Sequence, residues 1–146
     1  MTTQYLHALL ADVALSQIGQ RYVALDVRRQ AGEIRQAAHQ ALMGEHIALI
    51  HGHLGSGKTA LLRSLAYARA ERALQASAGG QDAPIPFLVD LAQIHEGSPG
   101  VRELLLEAFQ RYQPAANDAL LRNILAHHPT VFLLDNLHHV TDHHHL

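Results

Sequence analysis

A chain of 146 residues has room for one domain with a single core that buries about two thirds of its unfolded surface. Hydrophobic residues make up 48% and charged residues only 16%, below the usual ~25%, so Ala, Gln, His and Ser must cover much of the surface. Its 11 basic and 13 acidic residues are interspersed, which excludes the basic footprint of a nucleic-acid binder. With no cysteine, no disulfide framework and no Cys-based zinc or redox centre is available. Every apolar run is shorter than the roughly 18 residues a span requires, and the N-terminal stretch lacks a basic flank. These features predict a cytoplasmic protein with neither membrane span nor signal peptide.

In chain order, Leu6, Leu9, Leu10, Val13 and Ile18 recur at three- and four-residue steps, which predicts a helix from Gln4 to about Ile18 that Gly19 ends. "RYVALDV" (21–27) reads as a short extended piece, and the Ala-rich "AGEIRQAAHQALMGE" (31–45) as a helix. "HIALIHG" (46–52) is an apolar strand ending on glycine, and "TALLRSLAYARAERALQ" (59–75) a long helix with Leu61, Leu62, Leu65, Ala66 and Ala70 inward. "ASAGGQDAPIP" is loop and "FLVDL" (87–91) a second buried strand. Ser98 as N-cap and Pro99 at the first helical position open a helix that carries Val101, Leu104, Leu105, Ala108, Phe109 and Tyr112 on one face and that Pro114 closes. A last helix over about 116–127 presents Leu120, Leu121, Ile124 and Leu125, and Pro129 separates it from the strand "TVFLLD". Strands alternating with helices predict an α/β domain built on a parallel sheet flanked by helices in three layers.

Between the strand at 46–52 and the helix at 59–75 lies "GHLGSGKT", Gly52, His53, Leu54, Gly55, Ser56, Gly57, Lys58 and Thr59, a match to G-x-x-x-x-G-K-[ST] at every fixed position. The strand-to-helix setting makes this a specific signal for a phosphate-binding loop. Glycines let the backbone wrap a polyanion, and the N–H groups of residues 55–59 are expected to point at the phosphates with the helix dipole behind them. Lys58 would reach the terminal phosphates, and the Thr59 hydroxyl would bind Mg²⁺, a hard ion that prefers oxygen. Near the end of the chain, Val131, Phe132, Leu133 and Leu134 deliver Asp135. An apolar strand ending on a carboxylate, downstream of such a loop, is what a magnesium-side Asp requires. His51 and His53 flank the loop as further candidates for nucleotide contact.

"GEHIALIHGHLGSGKTALLRSLA", "IPFLVDLAQI" and "FLLDNLHHV" resemble, in order and spacing, the first half of a NACHT-type P-loop NTPase of the STAND signalling class. "YVALDV" is similar to the segment that often precedes that domain in bacteria. The resemblance implies ATP and Mg²⁺ as ligands and a nucleotide state that controls self-association or a protein partner. The family's acid strand typically reads L-D-G-L-D-E, where this chain has Leu134, Asp135, Asn136, Leu137, His138 and His139. Asp135 is kept, while the later acids, one of which would orient the attacking water, are replaced, so weak or absent hydrolysis is expected.

By that resemblance the chain divides into a lead-in at 1–45, a partial NTPase domain at 46–140 and a His-rich tail at 141–146. The family's next strand, which separates the loop strand from the acid strand, is not found; a truncated module whose strands at 46–51 and 130–135 pair directly is one expectation. The alternative is a nucleotide-independent interaction fragment that assembles through an exposed sheet edge. "HHVTDHHHL" carries enough imidazoles for a transition metal, but a polar terminus lacks the supporting partners that fix a site.

Overall fold

The computed structural model describes residues 2–12, 15, 17–18, 26–27, 36–42, 47–93 and 100–137. In chain order these form α1 (Thr2–Ala11), β1 (Asp26–Val27), β2 (Gln36–Ala37), α2 (Ala38–Leu42), α3 (Lys58–Ala78), β3 (Ile85–Asp90), a 3₁₀ turn (Leu91–Gln93), α4 (Val101–Gln110), α5 (Asp118–His127) and β4 (Thr130–Asp135). β1 and β2 form a small antiparallel ladder. β3 and β4 run parallel, in register from Ile85↔Thr130 to Asp90↔Asp135. A parallel pair needs a long crossover, and α4 and α5 supply it. This two-stranded parallel sheet with its helices fits a partial α/β fold of the P-loop type.

Helix α3 lays Leu61, Leu65, Ala66, Ala70 and Ala73 against the sheet. Leu104, Ala108 and Phe109 of α4 and Leu121 and Ile124 of α5 add the other side of the core. α5 starts where the Asn117 side chain accepts the Leu120 N–H at 2.9 Å, a cap that satisfies one of the four donors a helix start leaves over. Asp118 ties the two crossover helices together through Arg102 of α4, and within α5 it also pairs with Arg122 one turn on at 2.7 Å.

The packing of α1 follows from one proline. The Ile85 N–H donates to the Pro129 carbonyl at 2.9 Å, so alternation along β3 turns Pro86 away from β4. On that side the missing N–H of a proline costs no ladder bond, but its carbonyl still needs a donor. The Tyr5 hydroxyl of α1 provides it at 2.8 Å. The Tyr5 ring then lies 4.9 Å from Phe109 and 5.7 Å from Phe87 between centroids, within the range of favourable aromatic pairs.

Several elements differ from the sequence reading. Residues 47–53 form no strand, and Ile47 and Leu49 are 93% and 71% exposed. β4 pairs with β3 alone among the described residues, so the expected direct pairing of 46–51 with 130–135 does not occur. An apolar run becomes a strand only with a neighbour about 4.8 Å away, and nothing in its own composition supplies one. β4 accordingly buries Leu133 but leaves Phe132 and Leu134 partly exposed. Of the helix expected at 31–45, the described residues are 36–42: Gln36–Ala37 are strand and Ala38–Leu42 helix, because at 36–37 helix propensity yields to pairing with β1. α1 spans Thr2–Ala11, Asp12 is not helical, and Leu15, Gln17 and Ile18 are helical again, as expected; Val13 and Gly19 lie outside the described residues. Helix α4 has Gly100 at its N-cap; Ser98 and Pro99 lie outside the described residues, and Val101 faces solvent.

Candidate functional site

The loop 52–57 turns into α3 through two glycines that adopt left-handed backbone, Gly55 at φ 76° and Gly57 at φ 86°. Both conformations strain any residue with a Cβ. Gly57 is the N-cap of α3 and brings no side chain to it, so the first-turn N–H groups and the positive end of a 21-residue helix meet at the loop. A Cβ on Gly52 would lie 2.7 Å from the Ser56 hydroxyl, so the loop closes tightly on itself there.

Lys58 bridges the loop: its ammonium donates to the carbonyls of Gly52 at 2.8 Å and His53 at 2.9 Å and to Ser56 Oγ at 3.4 Å. The Ser56 N–H is spent on the His53 carbonyl at 3.2 Å. The expectation that every N–H from 55 to 59 turns inward therefore fails at Ser56, where a tight turn claims the donor. His53 joins the cradle through its carbonyl, while the side chains at His51, His53 and Leu54 are exposed.

The remaining sequence-predicted residues converge. Thr59 Oγ1 donates to Asp135 Oδ1 at 3.2 Å across 76 positions of sequence, joining the first turn of α3 to the end of β4. The Asn136 N–H donates to the same oxygen at 2.9 Å. Two hard oxygens, a hydroxyl and a carboxylate, thus stand together at the helix start beside the loop, a donor set suited to Mg²⁺. His138, His139 and the tail at 141–146 lie outside the described residues; among those described, no group of three His, Cys, Asp or Glu could hold a metal ion.

Sequence reasoning missed Asp90. Its Oδ1 accepts the Asn136 side-chain amide at 2.7 Å and the Ala92 N–H at 3.0 Å. The signal was present: "FLVD" and "FLLD" are two apolar runs ending on the same acid, and their parallel register sets the acids side by side.

A glycine-rich loop feeding a helix whose Thr meets a strand-end Asp defines a P-loop NTPase. The sequence agrees: residues 28–145 match the family described as AAA ATPase domain. This match covers more than half of the chain, which belongs to that family and is a nucleotide-binding NTPase module. No curated protein and no solved structure matches it. Among the described residues no helix is long and apolar enough to cross a membrane.

Proposed function

We propose that the chain is the ATP- and Mg²⁺-binding module of a NACHT-like signalling NTPase, cytoplasmic, with hydrolysis at or near background. The Thr59–Asp135 contact carries the nucleotide part of this reading, because it brings together the hydroxyl and the carboxylate that a magnesium-nucleotide site uses. Gly52, His53, Leu54, Gly55, Ser56, Gly57, Lys58 and Thr59 form the cradle. Lys58 exchanges its carbonyl partners for phosphate oxygens, and the helix start faces the same charge. Thr59 and Asp135 hold Mg²⁺, which neutralises phosphate charge when bound. Asn136, directly after Asp135, accepts no proton, so the chain lacks a water-orienting carboxylate at that step. In this reading residues 1–45 are a lead-in, 46–140 the NTPase portion and 141–146 a His-rich tail.

The test is titration with a fluorescent ATP analogue, with GTP as competitor. Binding should require Mg²⁺ and weaken by roughly 10- to 100-fold in Lys58→Ala, the loss that goes with a charge-assisted hydrogen bond. Equal binding by wild type and Lys58→Ala sinks the reading, and a clear ATPase rate lost in that variant sinks its hydrolytic part.

A second reading is favoured by the exposed Phe132 and Leu134 of β4 and the exposed Ile47 and Leu49: assembly through the open sheet edge, independent of nucleotide. Concentration-dependent association in sedimentation velocity, unchanged by ATP or by Lys58→Ala, would support it over the first.

A further inference from the structure

The site contains a second carboxylate at the level of the first. The parallel register places Asp90 opposite Asp135 at the strand ends, yet the two do different work. Asp135 Oδ1 faces Thr59, whereas Asp90 Oδ1 takes the side-chain amide of Asn136 at 2.7 Å and the Ala92 N–H at 3.0 Å. Asn136 is the one non-glycine residue with positive φ among those described, at 60°. Asparagine tolerates this conformation better than most residues but still needs support for it. In that conformation its N–H donates to Asp135 Oδ1 at 2.9 Å. One residue is therefore gripped by both carboxylates, through its amide by Asp90 and through its backbone by Asp135.

We propose that Asp90 is a positioning residue for the magnesium-side carboxylate: by holding the Asn136 amide it fixes the turn after β4, and that turn aims Asp135 Oδ1 at Thr59. The chain of contacts runs Asp90, Asn136, Asp135, Thr59, with each link a hydrogen bond of 3.2 Å or less. The Ala92 N–H holds the Asp90 carboxylate at the start of the 3₁₀ turn, so the clamp is anchored in β3 rather than in the loop. Mg²⁺ demands near-ideal octahedral geometry, which makes its binding sensitive to how a carboxylate is turned. This inference deepens the ATP and Mg²⁺ reading and rests on it.

The experiment is a Mg²⁺ titration of fluorescent ATP-analogue binding by the full chain, with thermal melts of each variant. Asp90→Ala should raise the Mg²⁺ midpoint about tenfold, the low end for loss of a partner behind a metal ligand. Asn136→Gly, which keeps the backbone conformation and drops the amide, should shift it equally, and the double variant should shift it no further. Asp90→Asn keeps an acceptor oxygen and should restore the midpoint to within about twofold of wild type. If Asp90→Ala melts too low to assay, Asn136→Gly carries the test. A lowered melting temperature with a wild-type Mg²⁺ midpoint in Asn136→Gly or Asp90→Ala makes the contact a mere staple and overturns the proposal. Additive shifts, or an Asp90→Asn variant as impaired as Asp90→Ala, also overturn it. A wild type that binds the analogue without Mg²⁺ dependence overturns the parent reading and this one with it.

Discussion

Replacing Tyr5 by phenylalanine removes one oxygen from a residue that lies before the stretch 28–145 shared with the AAA ATPase family, yet the effect should be global. Tyr5 is fully buried, and burial pushes its phenol far above the ordinary tyrosine range. Its hydroxyl serves the Pro86 carbonyl at 2.8 Å, on the side of β3 that β4 does not cover. Tyr5→Phe keeps the ring among Phe87, Phe109 and Tyr112 and leaves that buried carbonyl without its donor, a loss of about 1–3 kcal/mol. An unfolding entropy of about 2.1 cal/mol/K per residue gives roughly 0.3 kcal/mol/K for 146 residues, so the melting temperature should fall by about 3–10 °C. Tyr5→Ala, which also opens a cavity, should cost about 3–5 kcal/mol. Circular-dichroism melts combined with urea titration measure both. A Tyr5→Phe variant that melts within about 1 °C of wild type would refute the reasoning, since α1 would then contribute only apolar contact.

Tyr112 donates to Asp12 Oδ2 at 3.1 Å; burial first and the Asp12 charge second push its phenol up to about 12, against the pull of Arg111. A raised folded value means that the contribution is fully present below the ordinary tyrosine value of about 10 and is lost as pH rises through the folded value. Two units amount to about 2.7 kcal/mol, reduced to about 1 kcal/mol for a half-exposed group. Urea midpoints should therefore fall more steeply in wild type than in Tyr112→Phe across that alkaline window, and equal slopes would contradict the assignment. Gly57→Ala forces a Cβ onto backbone at φ 86°; it should lower stability by about 1–2 kcal/mol and weaken analogue binding, whereas an unchanged midpoint and affinity would show that the loop is free to rearrange.

Legibility followed the range of the interaction. α3, α4, α5, β3 and β4 all stand near where periodicity put them, because each has an apolar face of its own and short-range breakers at its ends. The glycine-rich turn into α3 was readable from residue types alone, since glycine is needed where φ turns positive at Gly55 and Gly57. What failed depended on a neighbour. "HIALIH" has strand composition, but residues 47–51 lack a strand to pair with and remain irregular. Gln36 and Ala37, within an Ala-rich stretch, went to a ladder with β1 for the opposite reason. The place of Lys58 in the motif was legible and its partners were not, for its bonds to the carbonyls of Gly52 and His53 depend on how the loop closes.

Asn136 shows how far residue-by-residue comparison with a family pattern can mislead. Set against L-D-G-L-D-E, it stands where a glycine is usual, and beside the missing later acids it reads as part of a loss. In the structure it takes up the backbone conformation that a glycine would provide, at φ 60°, and adds an amide that Asp90 grips. A strand-end acid on β3 and an asparagine after β4 are each unremarkable alone. The register Asp90↔Asp135 makes them adjacent, and once adjacent they stiffen the turn from which Asp135 reaches Thr59. Like the glycine usual at that position, Asn136 offers no proton acceptor; unlike it, it ties the end of β4 to Asp90.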